Sequence, residues 1–224
     1  MSHVVEMRDV RFRYAERAGF ELRVARLRVA QGERVACIGA SGCGKTTLIN
    51  LMSGVLTPAS GSIRLCGCDL SAAGEAARRA CRLRHVGMVF QEFELLDYLS
   101  SLDNILLPYR IGGRAPLNEV RQHARQLARS LRIEHLLRRK PRALSQGERQ
   151  RVSVCRALIT RPSIIIGDEP TGSLDPENAR SVIDLLLDAA SDAGAALFVV
   201  THDHSLLDRF DRVVHLGEGR EIEE

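Results

Sequence analysis

The chain has 224 residues, 45% of them hydrophobic and 27% charged, with 32 Lys and Arg against 28 Asp and Glu for a formal net charge of +4. That length suits one α/β domain with a substantial core, and the charge is too small for a protein that coats nucleic acid. Aromatics make up only 4%, with no Trp, which argues against a surface of stacked rings for sugars or single strands.

From the N-terminus, residues 1–6 carry no basic-then-apolar signal region. No apolar run reaches bilayer-spanning length. The expectation is a cytoplasmic chain, not itself inserted in a membrane, whose membrane role comes through a partner. Val4, Glu6, Arg8, Val10, Phe12 and Tyr14 alternate, and with Leu22, Val24, Leu27 and Val29 they suggest an edge hairpin. A strand over 34–39 is followed by a glycine-rich loop and a helix from about Lys45 toward Gly54. A turn over 57–61 leads to a strand over 62–65. Of the six cysteines, Cys66 and Cys68 form the one close pair. The pair lacks a second pair, or histidines at metal-ligand spacing, so it reads as reduced thiols and not as a zinc site.

The middle of the chain is different. Leu117, Val120, Ala124, Leu127, Ala128 and Leu131 fall at helical spacing over 116–131. Segments 133–137 and 147–160 also read as helical. Residues 91–160 therefore look like an α-helical insertion. Strands at 164–167, 195–200 and 213–216 then alternate with a helix over 176–192, which implies a mainly parallel sheet covered on both faces.

Residues 39–46, Gly-Ala-Ser-Gly-Cys-Gly-Lys-Thr, match G-x-x-x-x-G-K-[ST] between a strand and a helix. Gly39, Gly42 and Gly44 let the backbone wrap closely, and the N–H groups of Gly39, Ala40, Ser41, Gly42, Cys43, Gly44, Lys45, Thr46 and Thr47 can face phosphates at the positive end of a helix. Lys45 should reach the β- and γ-phosphates of ATP, and the Thr46 hydroxyl should ligate Mg²⁺. Two readings stay open for Cys43: a reactive thiol favoured by the surrounding N–H groups and Lys45, or an inert one pointing back into the fold.

The apolar run 163–167 ends in Asp168 and Glu169. An acid at a strand tip beside the phosphate loop suits Mg²⁺, which fits Asp168. Glu169, one residue on, can polarise an attacking water as general base.

With these motifs in order, the chain resembles the ABC ATPase family over nearly its whole length. The resemblance rests on the phosphate loop, Val89-Phe90-Gln91 as a glutamine loop, Leu144-Ser145-Gln146-Gly147-Glu148 in the signature position, Asp168-Glu169, Ser173-Leu174-Asp175, and Val200-Thr201-His202-Asp203. It implies one nucleotide-binding domain over 1–224: a P-loop NTPase α/β core with an N-terminal antiparallel β-subdomain over 1–90 and 161–224, and the helical subdomain over 91–160. It further implies that Tyr14 stacks on adenine, although an edge-strand ring remains the other reading. Gln91 would contact Mg²⁺ and His202 the γ-phosphate. Ser145, Gln146, Gly147 and Glu148 would meet the ATP held by the opposite subunit of a homodimer, and Asp175 would join the two sites. Ser145 could equally cap the helix that follows it. The signature departs from Leu-Ser-Gly-Gly-Gln: Gln146 adds bulk and Glu148 adds charge where the family usually has Gly and Gln.

Residues 168–175 and Asn104-Ile105-Leu106-Leu107-Pro108 are similar to the branch serving lipoprotein release, macrolide export and a cell-division-associated complex. The short tail after His202 leaves no room for the regulatory domain of many sugar-importer ATPases. The implied function is Mg-ATP hydrolysis driving a separate transmembrane permease subunit, with no nucleic-acid partner expected. The apolar residues Phe93, Leu95, Leu96, Tyr98 and Leu99 are candidates for the surface that meets this partner, or for helical core. A soluble ABC ATPase acting on nucleic acid or the ribosome, or a cell-division signalling ATPase, is the alternative.

Overall fold

In the computed structural model, residues 3–15, 19–112, 117–172, 176–217 and 222–223 are described. The alternating N-terminal segment forms β1 (His3–Arg13), antiparallel to β2 (Glu21–Ala30), with Met7 opposite Leu27 and Val10 opposite Val24. Val5 and Met7, then Val10 and Phe12, turn inward while Arg8, Arg11 and Arg13 stay in solvent; the two-residue alternation of a sheet with one wet face slips by one residue at Asp9, whose φ is 50. On the other side of β1 lies β4 (Ser60–Leu65), followed by the short β5 (Cys68–Asp69), giving a four-stranded sheet in the order β2-β1-β4-β5.

The second sheet contains β3 (Arg34–Ile38), β6 (Val86–Phe90), β7 (Ile164–Asp168), β8 (Ala196–Val200), β9 (Arg212–Leu216) and β10 (Ile222–Glu223) in the order β10-β9-β3-β8-β7-β6. All pairings are parallel except that of β10 with β9. Successive residues of the central strands enter opposite cores. Ile164 and Ile166 face the cluster shared with the antiparallel sheet and α1 (Lys45–Met52). Ile165, Leu197 and Val199 face a cluster built from α3 (Ser101–Gly112), α4 (Leu117–Ser130), α5 (Gln146–Leu158) and α6 (Pro176–Ala193). A strand buried on both faces must be apolar throughout, which is why β7 and β8 read as unbroken hydrophobic runs.

The register aligns the ends of these strands. Phe90 is level with Asp168, Asp168 with Val200, and Val200 with Cys37. The carboxyl ends of β6, β7, β8 and β3 therefore open on one edge, where parallel α/β sheets place their ligands.

Several elements escaped the sequence, three of them positioning the site or its neighbours. The helix α2 (Glu75–His85) carries Arg78, Arg79, Arg82 and Arg84 and buries Cys81, so its apolar stripe is a single residue wide. The strand β6 is only five residues long, and α3 contains Pro108, which ordinarily signals a break. The segment 133–137, expected as helix, is a single 3₁₀ turn, Glu134–Leu136.

Loop 92–100, which joins β6 to α3, is held by the buried side chain of Asn104. Its Oδ1 accepts from Leu96 N at 2.8 Å, and its Nδ2 donates to Leu96 O and Ser100 O at 3.1 Å each. From α5, Arg156 donates to the carbonyls of Phe93 and Glu94, and Ser153 Oγ to Phe93 O at 3.4 Å. Phe93 is core, whereas Tyr98 is 71% exposed.

Candidate functional site

The chain leaves β3 through the glycine-rich loop and enters α1 at Lys45. Gly44 caps the helix with φ 114, a backbone angle that favours glycine. Lys45 is buried, and its ammonium donates to Gly39 O at 2.9 Å and Ala40 O at 3.1 Å, crossing the mouth of its own loop. Cys43 does not face the loop's interior. It is 5% exposed and belongs to the apolar cluster beneath. A Cβ on Gly39 would stand 2.7 Å from Cys43 Sγ and 2.5 Å from Leu216 O, so the bare glycine makes room for the thiol. Of the two readings of Cys43, the inward-pointing thiol is the one the structure shows.

The two acids occupy the tip of β7. Asp168 Oδ2 accepts from Thr46 Oγ1 at 3.2 Å. Burial raises the Asp168 carboxyl above its usual range, the hydrogen bond from Thr46 acts against that, and Glu169 next door adds to it. A carboxylate that is costly to ionise beside a hydroxyl is a fitting set of hard oxygen donors for a divalent cation. Glu169 adopts φ 46, and its N–H donates to Val200 O at 3.0 Å. A non-glycine residue held in the left-handed region at a strand exit is strain of the sort that clusters at working sites. This turn aims the side chain between Lys45 Nζ, 3.5 Å from Oε1, and His202 Nδ1, 3.4 Å from Oε2.

Gln91 follows β6. A Cβ on Gly172 would lie 3.0 Å from Gln91 Nε2, so the turn after Glu169 and the glutamine are in direct contact. Tyr14 follows β1. Its ring meets Phe12 edge-on at 4.8 Å and Phe20 at 5.3 Å, and its hydroxyl lies 3.0 Å from Thr47 Oγ1.

These groups surround one open cavity of about 550 Å³, lined by Tyr14, Ser41, Gly42, Gly44, Lys45, Thr46, Thr47, Gln91, Asp168 and Glu169 together with Phe20, Phe90, Glu92 and Glu94. The last four were not anticipated. Phe20 could have been found, since it is an aromatic residue at the foot of β2, where the hairpin returns it beside Tyr14. Ser145, Gln146, Gly147 and Glu148 do not line the cavity. They begin α5, where Ser145 is the N-cap of a capping box: Glu148 N donates to Ser145 Oγ at 3.3 Å, and Ser145 N donates to Glu148 Oε2 at 2.7 Å. The unusual Glu148 charge is thus turned back onto the helix start. Ser145, Gln146 and Gly147 are exposed. Asp175 lies outside the described residues, as do Ser173 and Leu174.

Comparison with known proteins bears on the family and the fold. Residues 22–172 match the family model described as ABC transporter. The chain is 46% identical over 193 residues to the lipoprotein-releasing system ATP-binding protein LolD of Pseudomonas fluorescens, covering 86% of this chain and 85% of that protein. It is 42% identical over 193 residues to LolD of Psychrobacter arcticus, with the same coverage. Among solved structures, it superposes on a dimeric bacterial ABC transporter cassette with a TM-score of 0.83 at 28% identity, covering 98% of this chain and 97% of the other. A post-hydrolysis dimer of an ATP-binding cassette bound to ADP and Pi gives the same values.

Proposed function

The chain belongs to the ABC transporter family of ATPases, and from that premise we propose that it is the ATP-hydrolysing subunit of a lipoprotein-releasing membrane complex. It works as a homodimer and drives a separate transmembrane partner. The observation that carries the reading is the division of the motifs. Phosphate loop, acids and Gln91 line one cavity, with His202 joined to it through Glu169, while the exposed start of α5 stands apart from it, free to close on a second copy. Among the described residues no helix is long and apolar enough to cross a membrane, so the attachment we infer is peripheral, on the cytoplasmic face, through the partner. We divide the domain into the core, 1–90 and 161–224, and the helical segment 91–160.

ATP enters with its phosphates against the N–H groups of residues 39–46 and its base toward Tyr14. Lys45 gives up the carbonyls of Gly39 and Ala40 and turns its ammonium to the β- and γ-phosphates. Thr46, Asp168 and Gln91 would hold Mg²⁺, which would supply charge neutralisation on the phosphate oxygens. Glu169 accepts the proton of the attacking water, and His202 steadies both that carboxylate and the γ-phosphate. The N–H groups at the start of α5 and the Ser145 hydroxyl serve the ATP of the opposite subunit. Ser145 Oγ accepts from Glu148 N through a lone pair, which leaves its O–H to donate.

The test is co-purification of the chain with an inner-membrane protein and measurement of steady-state ATPase with and without it. Stimulation by a membrane partner is expected. Stimulation by ribosomes or DNA, with no membrane protein bound, would overturn the reading.

A further inference from the structure

A second cluster of chemically active side chains sits at the opposite end of β6 from Gln91. His85 immediately precedes β6, and Cys81 stands one helical turn earlier on the same face of α2. The β4–β5 hairpin brings Cys68 against them. One ligand atom from each of Cys68, Cys81 and His85 lies within 4.8 Å of the other two. A tetrahedral zinc ion, with bonds of about 2.3 Å to sulfur and about 2.0 Å to nitrogen, spaces its donors by about 3.5–3.8 Å, so closing the set needs only small side-chain movements.

The surroundings support the donor set. Cys68 is exposed and offers an entry path, whereas Cys81 is buried. His85 Nδ1 lies 3.1 Å from Ser163 Oγ, and Ser163 N donates to His85 O at 2.9 Å. Outer contacts of this type fix the orientation of a ligating imidazole. None of the three residues lines the nucleotide cavity.

We infer that Cys68, Cys81 and His85 form a binding site for a thiophilic divalent cation of the zinc class, with solvent at the fourth position. The sequence concealed it, because Cys81 and His85 come from a helix that the apolar pattern does not reveal. Occupied, the site would pin the edge of the antiparallel sheet to α2, and through α2 to the strand that delivers Gln91.

The experiment titrates the reduced, EDTA-treated full chain with Co²⁺. The expected result is a thiolate-to-cobalt charge-transfer band in the near ultraviolet and tetrahedral d–d bands in the visible, saturating at one cobalt per chain and bleached by Zn²⁺. Oxygen ligation by Thr46 and Asp168 gives no thiolate band, so the phosphate site does not imitate the signal. Cys68→Ser and His85→Ala should each lose the band while ATP binding, measured in parallel, shows that the fold is kept. Zn²⁺ should also protect Cys68 from maleimide. Absence of the band in the reduced chain, or its persistence in both variants, would overturn the site. So would a mapped Cys68–Cys81 disulfide in a chain that takes no cobalt when reduced.

Discussion

Glu169 Oε2 lies 3.4 Å from His202 Nδ1, and the other oxygen of the same carboxylate faces Lys45 Nζ at 3.5 Å. One acid thus connects the histidine that follows β8 to the lysine that begins α1, at a backbone angle glycine would find easier. That cost is intelligible if the carboxylate must stand where water attacks the γ-phosphate.

Replacing it tests this directly. Glu169→Gln keeps the shape and loses the basicity, so turnover should fall by about 10²–10⁴-fold, the usual contribution of a general base. Mg-ATP binding should persist, and ATP should then trap a dimer. Steady-state ATPase with the partner present decides the matter, and a rate near wild type would remove Glu169 from the role.

The exposed cap of α5 gives a second expectation. Ser145→Arg places a long cation where, on the proposed reading, the phosphate of the opposite subunit docks. In the Glu169→Gln background it should abolish ATP-driven dimerisation and leave nucleotide binding to the monomer within about twofold, since surface changes away from a site cost little. Sedimentation with Mg-ATP reads the outcome, and a dimer formed by the double variant would rule out the shared site.

Glu148 predicts a pH dependence. The backbone N–H of Ser145 holds its carboxyl below the ordinary value of 4.5. Its charge therefore stabilises the folded chain at every pH above 4.5, and that contribution fades as pH falls through the lower folded value. Glu148→Gln keeps a hydrogen-bonding side chain without the charge. Its unfolding midpoint should sit below wild type near neutrality and meet wild type in acid. Parallel curves at all pH values would show that the charge is idle.

Tyr98 stands 71% exposed on loop 92–100 while Phe93, five residues earlier, is core. Tyr98→Glu should cut partner-stimulated ATPase at least about tenfold, as loss of a buried aromatic anchor does at interfaces, and leave basal ATPase unchanged. Phe93→Glu should instead unfold the chain. Full stimulation of the Tyr98→Glu chain would place the docking surface elsewhere.

The nucleotide cavity was legible because its chemistry is carried by contiguous motifs: residues 39–46 bring their own loop geometry, and 163–169 their own strand. The Gln91–Gly172 contact was not, since it depends on two strand exits lying side by side, which only register decides. Helix α2 was hidden by its arginines, and with it the meeting of Cys68, Cys81 and His85. Cys43 was readable only as two alternatives, because the direction of one thiol in a tight turn is set by the space that Gly39 leaves.

One helix touches two distant matters at once. At its first residues α5 carries the Ser145 cap, which on the proposed reading meets the opposite subunit; two turns further on, Ser153 and Arg156 grip the carbonyls of loop 92–100. Thirteen residues of α-helix make a rod of about 20 Å, stiff along its length. A push received at one end would be delivered at the other with little loss, so on the proposed reading the loop carrying Tyr98 would move when the neighbouring subunit's nucleotide arrives. Torque from one subunit's fuel would thereby be felt first at its neighbour's membrane contact.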